Sequence, residues 1–192
     1  MPTIYADRYG LPLSTQSSAA AAHYMTAMDQ ALAMQRGAQK SLEAAIDDDP
    51  DCAMAHIALA REWQYRGKRA EAQASKTRAR QCLDGLTRRE RQHVEALSQA
   101  VDGDSPAALA LIHEHLQEFP RDALLLKQAD GPFGLIGFGG GQDRLEANFA
   151  LLDSVAEAYG DDWWFLSAYA FAHNELGQHT QARRLVERAL EH

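Results

Sequence analysis

Histidine is the residue type in this chain best suited to acid–base or metal chemistry. Eight are present: His23, His56, His93, His113, His115, His173, His179 and His192. A zinc-binding helix presents two imidazoles on one face, usually at i and i+4. No pair here has that spacing. His113 and His115 are two apart and point to different faces of a helix, and His173 and His179 are six apart across a turn. There is no His-Glu-x-x-His motif. Spacing therefore predicts no metal centre, no cofactor and no catalytic residue, and an enzyme is left open as the less favoured reading. His56, His115 and His173 are assigned to packing positions. A site assembled from separate repeats would be invisible to this reasoning.

The second chemically suggestive stretch is Gly131 to Gly141, GPFGLIGFGGG. A phosphate loop needs Gly-Lys-Ser/Thr before a helix, and here Gln142-Asp143-Arg144 follows. A dinucleotide fingerprint follows a strand, whereas this segment follows a leucine run. Gly131, Gly134 and Gly137 recur every third residue, which gives a helix one bare face. Each internal glycine costs about 1 kcal/mol relative to alanine. The expected compensation is a close neighbour on that face, either Leu11-Pro12-Leu13 or a bound ligand.

Helices must position these residues. Gly67, Gly103 and Gly177 are each followed five residues later by alanine, at Ala72, Ala108 and Ala182. Ala60 and Ala170 lie seven residues before the first and last of these glycines. Gly67 and Gly103 are 36 residues apart, and Gly103 and Gly177 are 74 apart. That is the tetratricopeptide pattern: a helix, a tight glycine turn and a second helix, with alanine where the two must approach closely. The prediction is all-α, with tetratricopeptide-like hairpins stacked in a right-handed superhelix. Residues 1–16 form an extended N-terminal lead. Residues 17–192 form a single helical-repeat domain of about five hairpins, at 17–50, 52–84, 87–120, 122–159 and from 162 onward. Thr87-Arg88-Arg89-Glu90 reads as a capping box, with Arg88, Arg89 and Arg91 on a solvated helix start. Ser105-Pro106 reads as a hydroxyl cap before proline. Gly160-Asp161-Asp162 reads as a stop followed by a start. No segment alternates apolar and polar residues, so no sheet is expected.

Composition narrows the function. Lys plus Arg is 19 and Asp plus Glu is 27, a net charge of −8, which argues against nucleic-acid partners that bind through phosphate neutralisation. Cys52 and Cys82 are the only cysteines, too few for a disulfide scaffold, so a reducing, cytoplasmic setting is expected. No stretch reaches the roughly 18 apolar residues of a membrane span. The N-terminus has no signal-like apolar core.

Two further motifs lie outside the generic repeat pattern. They are Asp7 to Thr15, DRYGLPLST, and Leu86 to Val94, LTRRERQHV. In that order they resemble the tetratricopeptide repeat protein 38 family. Pro120-Arg121-Asp122 with its leucine run, and Trp163-Trp164 leading into Phe171 to Gly177, resemble it too. The resemblance implies a helical scaffold without catalytic residues. It also implies that the chain is a short homologue or a fragment, with Leu190-Glu191-His192 either native or a cloning remainder.

The concave face of such a stack is lined by the first helix of each hairpin. Position counting places His23, Arg61, Tyr65, His93, Lys127, Asp130, Trp164, Phe171 and Asn174 there. His23, Arg61, Tyr65, His93, Asp130, Trp164 and Asn174 are the candidate ligand-binding set. The expected role is a scaffold binding a protein or peptide partner, with self-association through an exposed repeat end as a further expectation. The alternative is a small-molecule-binding protein or enzyme using His23, His93, Asp130 and Trp164 inside the superhelix.

Overall fold

Local sequence sets where each helix starts and stops. The computed structural model describes residues 3–191. Met1, Pro2 and His192 lie outside the described residues, and with them the start of the expected lead and the last residue of the Leu190-Glu191-His192 tail. The chain divides into two compact units, Met1–His115 and Leu116–His192.

The first unit holds α1 (Ser18–Leu32), α2 (Ala38–Asp48), α3 (Ala53–Tyr65), α4 (Arg69–Gln81), α5 (Arg88–Asp102) and most of α6 (Ser105–Glu118). Helix α1 packs on α2, α2 on α3, and α3 on both α4 and α5. The second unit holds the end of α6, α7 (Ala123–Ala129), the single turn α8 (Leu135–Phe138), α9 (Arg144–Tyr159), α10 (Trp163–Glu175) and α11 (His179–Ala189). Helix α8 packs on α7 and α9, α9 on α10, and α10 on α11.

These are tetratricopeptide-like helical hairpins. Gly67, Gly103 and Gly177 all take positive φ, at 70°, 85° and 74°. A side chain there would meet the following carbonyl, so glycine is the residue that turns the chain without strain. Ala60, Ala72, Ala108, Ala170 and Ala182 are all buried, as close helix approach requires. The Thr87–Glu90 capping box is formed in both directions. Gly160 stops α9, and the Asp162 side chain accepts the Phe165 N–H at 2.9 Å to start α10. At α6 the cap sits one residue earlier than expected: Asp104, rather than Ser105, accepts the Ala107 N–H at 3.0 Å. Of the tryptophan pair, Trp164 is buried and Trp163 half-buried.

The expectation of no sheet was wrong. Thr3–Ala6 (β1) and Pro12–Thr15 (β2) form an antiparallel hairpin with Ile4 opposite Ser14 and Tyr5 opposite Leu13. Strand β2 is too short and too mixed (Pro, Leu, Ser, Thr) to show a period of two. Its turn is built by Asp7, whose carboxylate accepts the N–H groups of Tyr9 at 2.8 Å and Leu11 at 2.9 Å, and by Gly10 at positive φ. Strand β2 lies against α1 and α5.

No helix among the described residues is long and apolar enough to cross a membrane.

Candidate functional site

The two sequence motifs outside the repeat pattern meet in the first unit. Glu90, on the first turn of α5 and fully buried, accepts the Ser14 N–H at 2.6 Å and the Ser14 hydroxyl at 2.7 Å. Its other bonds are to the Thr87 N–H and hydroxyl. Asp49, at the C-terminal cap of α2, accepts the Gln16 N–H at 2.6 Å and the Thr15 hydroxyl. Arg89 is buried rather than solvated, with a 1% exposed side chain 3.7 Å from the Asp7 carboxylate, and it donates to the Pro12 carbonyl at 3.2 Å. A basic residue in a helix's first turn is ordinarily a solvent residue, so only its buried acidic partner explains its place. The residues at 7–15 and 86–90 therefore form one docking arrangement.

The four sequence-predicted site residues of this unit, His23, Arg61, Tyr65 and His93, serve local contacts. His23 is exposed and pairs with Asp48 at 3.5 Å. The Arg61 guanidinium is buried, donates to Tyr65 Oη at 3.0 Å and to Gln64, and lies 4.8 Å from the Tyr65 ring centre. Gln64 in turn donates to the carbonyls of Ala100 and Val101, tying α3 to α5. His93 is fully buried, its ring edge-on to His115 at 6.3 Å, and His115 is 3.0 Å from Gln92 Oε1. Packing is the role expected for His115, and His56 is similar: burial pushes its pKa down, and its Nε2 is 2.9 Å from the Pro50 carbonyl oxygen. Between α5 and α6 an open groove of about 250 Å³ is lined by Arg91, Gln92, Glu95, Leu111, Glu114 and His115.

In the second unit the sequence candidate Asp130 caps the end of α7 and begins the glycine-rich segment. The Asn148 amide of α9 donates to its carboxylate at 3.0 Å and accepts the Gly131 N–H at 3.0 Å. Burial is the largest influence on Asp130 and raises its pKa to about 6, against the opposing pull of Asn148 and Lys127. The segment then bends back on itself. A Cβ at Gly134 would sit 2.1 Å from the Asp130 carbonyl oxygen, and one at Gly137 would sit 2.5 Å from that of Pro132. The close neighbour of the glycines is thus their own preceding turn, and Leu11-Pro12-Leu13 belongs to the other docking arrangement. Gly134→Ala is expected to cost about 1–3 kcal/mol, since backbone must move to admit the methyl group. Urea denaturation measures this, and an unchanged midpoint would show the turn to be loose.

Beside this turn is a small cleft of about 70 Å³, with Gly131, Pro132 and Gly137 on one wall, Arg144, Leu145 and Asn148 on another, and Phe171, Ala172 and Glu175 of α10 opposite. Phe133, Phe138 and Phe171 are 74%, 72% and 43% exposed. The Phe133 and Phe138 rings are 6.5 Å apart. Trp164 is buried beside Tyr159 at 6.1 Å, and Asn174 is exposed and 3.1 Å from His179 Nδ1. Neither lines the cleft. His173 packs between Phe149 and Tyr169, with ring distances of 4.9 and 4.5 Å. Asn148 was missed by sequence reasoning, because an asparagine within an amphipathic helix carries no spacing signal.

The hairpin geometry makes the chain a tetratricopeptide-like helical-repeat protein. No family model matches it. Among solved structures it is similar to YrrB, described as a TPR protein with an unusual peptide-binding site. Identity is 13%, the match covers 88% of this chain and 81% of that one, and the TM-score is 0.43.

Proposed function

We propose that this protein is an interaction scaffold that holds a peptide across the cleft between the glycine-rich turn and α10. The observation that carries this reading is the exposed Phe171 ring on a cleft whose wall includes Asn148, the partner of the half-buried Asp130, with the exposed Phe133–Phe138 pair on the same glycine-rich turn. Exposed aromatic clusters mark interaction surfaces, and aromatic anchors supply much of the binding energy at such surfaces. A carboxylate kept in a burial that disfavours its charge also marks a functional neighbourhood. Size separates this from the small-molecule or enzyme alternative. The cleft is about 70 Å³, far below the roughly 300–1,000 Å³ of ordinary ligand pockets. It suits one inserted side chain, with Arg144 and Glu175 available to flanking charges.

Selection from a random peptide display library tests the proposal. The expected result is enrichment of peptides with an apolar anchor, at least tenfold weaker on Phe171→Ala with an unchanged melting curve. Equal enrichment on wild type and variant would overturn it.

Three finer readings belong here. The resemblance to the tetratricopeptide repeat protein 38 family is the finer reading of the fold, and it rests on the motifs at 7–15 and 86–94. Both cysteines are free thiols, in keeping with a cytoplasmic setting. Val186 and Leu190 at α11 are exposed and are the face through which the expected self-association would run.

A further inference from the structure

We infer that His93 on α5 and His115 on α6 form a binding site for a divalent metal ion of the zinc class, reached through the groove between these helices. The site lies within the first unit and does not depend on the cleft of the second.

Spacing along one helix could not reveal this pair. A single helix that binds zinc presents histidines at i and i+4, whereas these two are 22 residues apart on neighbouring helices. The fold brings them together. Their ring centres are 6.3 Å apart with the planes at 83°, and their ligating nitrogens lie within 4.8 Å of one another. Two nitrogens on one tetrahedral zinc, each at about 2.0–2.1 Å, are about 3.3 Å apart. Turning the rings about their side-chain bonds closes that difference without moving a helix.

The surroundings prepare the pair for ligation. His115 Nδ1 is 3.0 Å from Gln92 Oε1. A carbonyl oxygen can only accept, so the proton sits on Nδ1 and Nε2 carries the lone pair. Metal-bound imidazoles are held in this way: the second ring nitrogen donates to an oxygen, which fixes tautomer and ring orientation. His93 and His115 are 0% and 1% exposed, so bulk water competes poorly for a bound ion. Imidazole nitrogens select zinc and its first-row neighbours over magnesium and calcium, which require oxygen ligands. Entry is by the groove of about 250 Å³, which His115 itself lines. Glu95 and Glu114 stand on its walls beside the single cation Arg91, a lining that admits a cation.

The test titrates zinc ion alone into the full-length protein, under reducing conditions, against a competing chromophoric chelator. The expected result is one zinc per chain at this site, weakened at least tenfold in His93→Gln and in His115→Gln. Glutamine keeps a polar side chain and removes the imidazole. His113 is exposed on the same helix as His115, and His113→Gln is expected to bind as wild type does. The inference is overturned if the wild type takes up no zinc, if either folded site variant binds as tightly as wild type, or if His113→Gln loses as much as they do. Imidazole nitrogen NMR spectra of the wild type give a readout that needs no variant. Equimolar zinc should move the ring-nitrogen signals of His93 and His115, and unmoved signals overturn the inference even where the variants fail to fold.

Discussion

Arg89→Ala is expected to be the most damaging single substitution in the first unit, at about 3–5 kcal/mol, because it leaves the partner charge buried without compensation. Both side chains of the Asp7–Arg89 pair are at most 1% exposed. The truncation also removes the donor to the Pro12 carbonyl. Asp7→Asn with Arg89→Met, made together, is expected to recover most of the loss, since neither variant residue carries a charge that needs a partner. Urea denaturation of the two singles and the double gives the coupling between them. Additive losses would mean that the pair does not act as a unit.

The second large effect runs in the opposite direction. Asp130→Asn is expected to stabilise the protein above pH 6. The folded-state pKa of about 6 lies above the ordinary 3.8, so the folded chain holds more protons than the unfolded chain between those values. Stability of the wild type therefore falls as pH rises from about 4 to about 6, and the penalty stays constant above that. The shift corresponds to about 3 kcal/mol. Asparagine keeps a carbonyl oxygen to accept the Asn148 amide and carries no charge. Melting curves at pH 4 and pH 7.5 separate the cases: the variant's advantage should be small at the first and near its full size at the second. No difference between the two pH values would show that the carboxylate is solvated. A stabilised variant that still bound peptide normally would separate the charge from recognition.

The helical part of this fold was legible because it rests on local signals. Gly67, Gly103 and Gly177 each require a conformation that side chains resist, and the alanines five residues on mark close helix approach. The capping box at Thr87 could be read from four consecutive residues. What could not be read was the pairing of distant groups. Arg89 looked like a solvent residue because nothing nearby in sequence neutralises it; its partner, Asp7, lies in a turn near the N-terminus. Glu90 was assigned to its cap, and its second role depends on Ser14, 76 residues away. The hairpin was missed for a similar reason, since its strands take their stability from helices rather than from their own pattern. At the candidate site, Asp130 and Phe171 were named from repeat position. Asn148 was silent, and the glycine spacing suggested a bare helix face where there is a chain folded back on itself.

The placement of the hairpin also orders events at the ribosome. Ser14 and Asp7 leave the exit tunnel ahead of the groups that receive them, Glu90 and Arg89, and Glu90 is made 76 residues after Ser14. At about 5–20 residues per second, that interval is roughly 4–15 s. Throughout it, residues 7–15 are apolar and hydroxyl-rich chain without a home, while α1 to α4 are already able to pair with one another. This segment is thus made before the helices it docks on and set in place after them. A translational pause before residue 86 would lengthen its exposure, whereas a pause after residue 90 had emerged would not.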